Sequence, residues 1–374
     1  YIHVPFCKTR CHFCAFYLRG YRDTSAQAFL ESLAREIRLH AELRSLHGCR
    51  LDTVYFGGGT PTTLSPGSLS NVLTLVERYF GIQDRGEVTV EAHPDTVTES
   101  GLRSLVQAGF NRISFGVQSM DNKELLHVGR RSVSESVRTA VAGARRAGFM
   151  NINLDLIYGL PGQTCESWLS TLDQVLALEP THLSCYALTV EEGTRLDVDL
   201  HRGDTAGPDA QLQNKMEDEA CRRLALAGFE RYEVSNYCRP GYASRHNELY
   251  WKGGEYLGLG PSAQSYLRGR RFGNVADLKV YRYALDAGRL PVAETEFLSP
   301  EQRQREAIVF GLRLTGGVEL GMIQTGLRKG ALDWSWEQGL KRLTREGLLE
   351  EEAGCMKLTA LGRRFADSVA VELL

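Results

Sequence analysis

The chain has 374 residues, 43% of them hydrophobic and 24% charged, and a formal net charge of −2. That length suits one large domain with a smaller one attached, and the composition is that of a soluble globular protein. The near-neutral charge gives no reason to expect nucleic acid or an anionic membrane as a partner. No run approaches the ~20 uninterrupted apolar residues of a membrane-spanning helix. The nine cysteines, an odd number and scattered apart from three, argue against a disulfide framework and for a reducing cytoplasm. The chain opens at Tyr1 without Met, inside what reads as a strand, which leaves room for a short leader ahead of it.

From the N-terminus, short β-branched or aromatic runs alternate with longer amphipathic ones, the pattern of a parallel sheet with crossover helices. Residues 1–4 read as the first strand and 25–46 as the helix after it. A strand at 53–56 leads to a helix with Ser65 as N-cap and Pro66 at its first position. Then come strand 87–92, helix 99–108, strand 112–116, helix 132–147, strand 151–157, helix 165–176 and strand 183–188. These make about six evenly spaced β/α units, too many for a doubly wound fold with one switch point. The expected fold is therefore α/β, a full or partial barrel with its chemistry at the C-terminal ends of the strands.

A long helix at 208–228 leads into residues 232–235 and then a stretch rich in glycine and aromatics at 236–266. Helical runs at 300–313 and 335–346, then Gly347-Leu348-Leu349-Glu350, a polar turn, Met356-Lys357-Leu358-Thr359 and a last helix from 361 read as a winged-helix-like α+β module. Its expected role is a packing lid rather than nucleic-acid recognition. The expected division is a barrel core at 1–235, a connecting region at 236–297 and a C-terminal module at 298–374. No low-complexity segment or solenoid repeat is visible.

Cys7-Lys8-Thr9-Arg10-Cys11-His12-Phe13-Cys14 places three thiols in one short loop directly after the first strand. Three thiolates from one loop can each hold a different corner of an iron–sulfur cube and leave the fourth iron open. A zinc site, with His12 as a ligand, normally needs a second ligand pair separated in sequence, and none appears. After the second strand, Gly57-Gly58-Gly59-Thr60-Pro61 is neither a P-loop nor a dinucleotide turn. Its glycines allow a ligand to approach the backbone, or simply permit a tight turn. Glu91, Gln118 and Asp155 sit at strand ends, and Arg130 follows in a loop. A buried carboxylate there needs a partner, from the fold or from a ligand bearing an amine, hydroxyls and a carboxylate.

The C-x3-C-x2-C spacing, with an aromatic before the last cysteine, resembles the radical S-adenosylmethionine (SAM) superfamily. The resemblance implies a [4Fe–4S] cluster on Cys7, Cys11 and Cys14, whose open iron binds SAM and delivers the electron that cleaves it to a 5′-deoxyadenosyl radical. It extends along the chain through Tyr55-Phe56-Gly57-Gly58-Gly59-Thr60-Pro61, Phe115-Gly116-Val117-Gln118-Ser119, Asp155-Leu156-Ile157-Tyr158-Gly159-Leu160-Pro161-Gly162, Tyr232-Glu233-Val234-Ser235-Asn236 and His246-Asn247-Glu248-Leu249-Tyr250-Trp251. Together these resemble the HemN/HemW group, with a partial (β/α)6 radical SAM barrel. The resemblance implies SAM contacts at Tyr1, Phe13, Gly58, Gly59, Thr60, Glu91, Gln118, Arg130 and Asp155, and assigns no catalytic residue.

Phe16 stands where the oxygen-independent coproporphyrinogen oxidases carry a further cysteine, and the His-Asn-x-x-Tyr-Trp segment is similar to the HemW branch. That branch implies a haem chaperone, with haem and apo-haemoproteins as partners, a monomer or homodimer, and His246 as candidate axial ligand. Cys238 is a second candidate thiol for iron but reads more simply as a buried structural one. The chain departs from the branch at Ala15, His93 and Gln264. These departures bear on the second ligand, so a HemN-like methyltransferase or cyclopropanase using two SAM molecules stands as the alternative reading, ahead of coproporphyrinogen oxidation.

Overall fold

Six strands lie side by side in chain order, each parallel to the next: β1 Ile2–Val4, β2 Leu51–Gly58, β3 Ile82–Ala92, β4 Arg112–Gln118, β5 Asn151–Tyr158 and β6 His182–Ala187. Sequential parallel order without reversal is that of a (β/α) barrel opened along one seam. It excludes the doubly wound alternative. A computed structural model supplies these coordinates and describes residues 1–43, 46–130, 133–330 and 332–374. The chain divides into two units, one of Tyr1–Phe229, Gly258–Gln264 and Gly273–Ala293, the other of Glu230–Leu257, Ser265–Phe272 and Glu294–Leu374. The stretch at 236–297, expected as a connecting region, is thus shared between them.

In the first unit the crossover helices are α1 Asp23–Ala41, α2 Pro66–Phe80, α3 Glu99–Gln107, α4 Ser134–Ala147 and α5 Cys165–Leu176, with α6 Ala210–Leu226 after β6. Residues 44, 45 and 132, at the margins of two expected helices, lie outside the described residues. The starts are written in the sequence. Ser65 Oγ accepts from Ser68 N at 3.1 Å, with Pro66 at the first helical position. Thr164 and Ser167 form a reciprocal capping box. Trp168, fully buried on α5, donates from Nε1 to the Met216 carbonyl of α6 at 3.0 Å.

One face of the sheet is apolar and the other polar. Val54 and Phe56, Val88 and Val90, Ile113 and Phe115, Ile152 and Leu154, and Leu183 are buried on the apolar side. The alternate positions carry Thr89 and also Tyr55, Glu91, Ser114, Asn153, Asp155 and Ser184, which are joined by side-chain hydrogen bonds across strands. Asn153 Nδ2 donates to Ser114 Oγ at 2.7 Å and to Ser184 Oγ at 3.0 Å, and His182 Nδ1 lies 2.7 Å from Asn153 Oδ1. A parallel sheet covered on both faces is usually apolar on both. Here the alternation leaves a polar interior.

In the second unit, strands Glu230–Arg231 and Asn236–Cys238 pair antiparallel, and the residues between them turn. Glu233 Oε1 accepts from Ser235 N at 3.0 Å and from the Asn236 side chain, a local closure of that turn. Short helices at Arg245–Trp251 and Leu320–Arg328 lay in stretches that gave no helical period. The C-terminal part runs helix Pro300–Gly311, strand Val318–Glu319, helices Leu320–Arg328 and Trp334–Arg345, then antiparallel strands Leu349–Glu352 and Cys355–Leu358. That is the helix and wing order expected. Ile308, Leu312, Ile323, Trp336, Leu343, Met356 and Val369 share its own core.

Candidate functional site

The cysteine loop is stapled at its base. Phe6–Cys7 pairs with Arg19–Gly20, Arg19 N donates to the Pro5 carbonyl at 2.7 Å, and Tyr21 N donates to that of Cys7 at 3.1 Å. Its far end is held by His12, whose N donates to the Val128 carbonyl and whose carbonyl accepts from Leu196 N, both at 2.9 Å. Phe13 packs against an apolar cluster of Val128, Ile157, Leu160, Leu188 and Leu196. These contacts fix the loop while leaving Cys7, Cys11 and Cys14 half-buried.

Burial pushes the Cys7 thiol up to about 11. The Thr60 hydroxyl, 3.4 Å from Sγ, opposes that shift, and the neighbouring Cys14 and Cys11 add to it. Burial also raises Cys14. Thiols raised in this way give up their protons to a bound cation such as iron, which stabilises the thiolate. Among the described residues no three His, Cys, Asp or Glu side chains are disposed to hold a single metal ion. Three half-buried thiols in one loop are the donor set that an iron–sulfur cube takes.

The glycines that close β2 and follow it are required by close packing. A Cβ on Gly58, whose φ is +105°, would meet the His3 ring at 2.5 Å, and one on Gly59 would meet the Phe6 carbonyl oxygen at 2.6 Å. Gly59 N and Thr60 N donate to the Val4 and Phe6 carbonyls, both at 2.8 Å, tying the turn to the start of the cysteine loop. Tyr1 stacks on Tyr55 with ring centroids 6.2 Å apart, and its hydroxyl lies 3.1 Å from His3 Nδ1.

Glu91 accepts from the Tyr55 hydroxyl at 2.7 Å and from Gly58 N at 3.2 Å. Burial pushes its carboxyl up to about 7, opposed by the Tyr55 bond and reinforced by the charge of Asp155. Asp155 accepts from Ser114 Oγ and from Asn153 Nδ2, each at 2.8 Å. Gln118 closes β4 at a register irregularity with φ +71°, a strained backbone for a residue other than glycine. Arg130, 6% exposed, donates from Nη2 to the Gly116 carbonyl at 2.5 Å and from Nη1 toward Cys11 Sγ at 3.9 Å.

The expected residues thus form two linked groups at the C-terminal ends of the strands, the side on which barrel chemistry sits. Cys7, Thr60, Gly58 and Glu91 connect along one side, and Cys11, Arg130, Gly116 and Gln118 along the other. Tyr55, His3, Ser114 and Asn153 join them without having been singled out. Period-two alternation along β2, β4 and β5 was the signal for three of these.

His246 stands in the second unit, on the helix Arg245–Trp251, which is capped by Ser244 Oγ accepting from Asn247 N at 3.4 Å. It is buried, and its Nε2 hydrogen-bonds the Tyr250 hydroxyl. Tyr250 in turn meets Tyr256 edge-on at 4.7 Å, and Tyr256 faces Tyr266 at 6.4 Å. Burial raises the Tyr250 phenol.

A half-buried three-thiol loop beside a glycine turn at the mouth of a parallel barrel defines the class. The radical SAM superfamily model matches residues 1–175, and that of the HemN C-terminal domain matches residues 298–365. The chain is 35% identical over its whole length, and over 94% of the relative, to the Heme chaperone HemW of Mycobacterium tuberculosis. It is 32% identical to that of Bacillus subtilis over 99% of this chain and 97% of the relative. It is also 35% identical to the mouse mitochondrial radical S-adenosyl methionine domain-containing protein 1, over 92% of this chain and 76% of the relative. Coproporphyrinogen III oxidase (HemN) of Escherichia coli, a radical SAM enzyme, superposes with a TM-score of 0.86 at 25% identity, covering all of this chain and 88% of that one. The chain is a radical SAM protein. Within the superfamily it belongs to the HemW family. Among the described residues no helix is long and apolar enough to cross a membrane.

Proposed function

We propose that the protein is a cytoplasmic haem chaperone that binds haem and transfers it to apo-haemoproteins. The observation that carries this reading is the collinear similarity to relatives named as haem chaperones, which runs through both units, His246–Trp251 included. Phe16, 63% exposed where the coproporphyrinogen oxidases carry a cysteine, weighs against porphyrinogen oxidation.

In this reading Cys7, Cys11 and Cys14 hold a [4Fe–4S] cluster, and bound SAM supplies radical or gating chemistry at its open iron. Tyr1, Phe13, Gly58, Gly59, Thr60, Glu91, Gln118, Arg130 and Asp155 form the SAM cradle. Gly58 and Gly59 keep the turn close to β1, and Glu91 presents an acceptor for the SAM ammonium or ribose hydroxyls. His246 offers the imidazole that haem iron commonly takes. Haem titration of the anaerobically reconstituted protein tests the proposal: stoichiometric uptake with a shifted Soret band is expected. Uptake of two SAM molecules per chain and no haem would instead make it a methyltransferase.

A further inference from the structure

Arg130 is a buried cation without a carboxylate of its own. Among the described residues no Asp or Glu forms an ion pair with it, and its Nε is buried and unpartnered. Its two terminal nitrogens face the Gly116 carbonyl at 2.5 Å and Cys11 Sγ at 3.9 Å. Burying an unpaired guanidinium costs several kcal/mol, so the fold keeps it there for an anion.

We propose that this anion is the iron–sulfur cluster with its thiolates, and that Arg130 is a positioning residue that raises the cluster's reduction potential by donating a charge-assisted hydrogen bond to Cys11 Sγ. Three thiolates outweigh the charge of the oxidised cluster core, and reduction adds one more negative charge. A fixed cation at the sulfur therefore stabilises the reduced form more than the oxidised one. Hydrogen bonds to ligand sulfurs and local net charge are the levers by which proteins set such potentials. Gly116 lies beside the guanidinium: a Cβ there would stand 3.6 Å from Arg130 Nη1, within ordinary contact, and 3.2 Å from Gln118 Nε2. The role is additional to the SAM contact expected of Arg130 and rests on the cluster assignment above.

The test is an EPR-monitored redox titration of reconstituted protein without SAM, comparing wild type with Arg130→Met at equal iron content. The substitution should shift the one-electron equilibrium about tenfold against reduction, about 59 mV toward more negative potential. An unshifted potential with a full cluster overturns the proposal and leaves the cluster assignment standing. A wild-type protein that holds no cluster defeats both. If the methionine variant fails to keep iron, the same titration on Arg130→Gln decides. Glutamine keeps a polar donor but removes the cation, so a potential displaced in the same direction supports the role and an unchanged one overturns it.

Discussion

The Tyr250 hydroxyl lies 3.0 Å from Nε2 of His246, one turn further along the same helix, with the two rings edge to face at 4.9 Å. A nitrogen whose lone pair accepts a phenol proton is unavailable to iron, and one that donates to the phenol must first lose its proton. Haem ligation through Nε2 therefore competes with this bond. Tyr250→Phe should strengthen haem binding by about fivefold, the equivalent of one net hydrogen bond of ~1 kcal/mol. His246→Ala should change the Soret spectrum and weaken binding. Haem titration of both variants is the check, and weaker binding by Tyr250→Phe would mean that the tyrosine helps to hold haem instead.

Cluster assembly should depend on three thiols alone. Cys49 is exposed on the surface, and Cys165, Cys185 and Cys238 are buried apart from the loop. Replacing Cys7, Cys11 and Cys14 together by Ala should abolish both the iron content and the broad visible absorbance of the reconstituted protein. The variant should still take up haem, because His246 belongs to the other unit. Iron retained in full by the triple variant would refute the assignment.

Much of this architecture was legible because it is local. Ser65 before Pro66 fixed a helix start, the three cysteines fixed a loop, and glycines 57–59 marked a turn that the packing of His3 and Phe6 makes obligatory. The turn at Glu233 was not legible, since it closes through the Glu233 side chain onto Ser235 and Asn236, contacts that no periodicity announces. Tyr55 was quoted within a motif, yet its pairing with Glu91, 36 positions away, depends on the register of β2 against β3. Register is a tertiary property, and no run of neighbours encodes it. Arg130 was found as a loop residue, but its approach to Cys11 joins two loops 119 positions apart.

Glu91 already has two protein partners, Tyr55 and Gly58 N, which hold its carboxyl in place before any ligand arrives. Glu91→Gln keeps the shape but removes the charge that an ammonium or ribose hydroxyl would meet. It should weaken SAM binding by about 1–3 kcal/mol, measured by calorimetry on the reconstituted protein, with little change in melting temperature. A sharp fall in melting temperature at unchanged SAM affinity would show that Glu91 serves the fold alone.

Glu36 offers a pH signature away from the site. It is fully buried on α1, where Oε2 accepts from Gly260 N at 2.7 Å and the Tyr281 hydroxyl at 2.6 Å, and Oε1 accepts from Asn274 Nδ2 at 2.5 Å. Burial nevertheless outweighs these three donors and pushes the carboxyl up from 4.5 to about 7. Between those two values the folded protein binds more protons than the unfolded chain, so stability must fall as pH rises through that window. Glu91, raised in the same direction, adds to the fall. Glu36→Gln turns one acceptor into a donor facing a donor, which should cost about 1–3 kcal/mol. The variant cannot titrate here, so its deficit relative to wild type should be largest near pH ~5 and narrow by pH ~8. Urea unfolding of both proteins at the two pH values measures this. A deficit that stays constant, or widens with pH, would mean that the carboxyl is ionised in the fold throughout and that its three donors outweigh its burial.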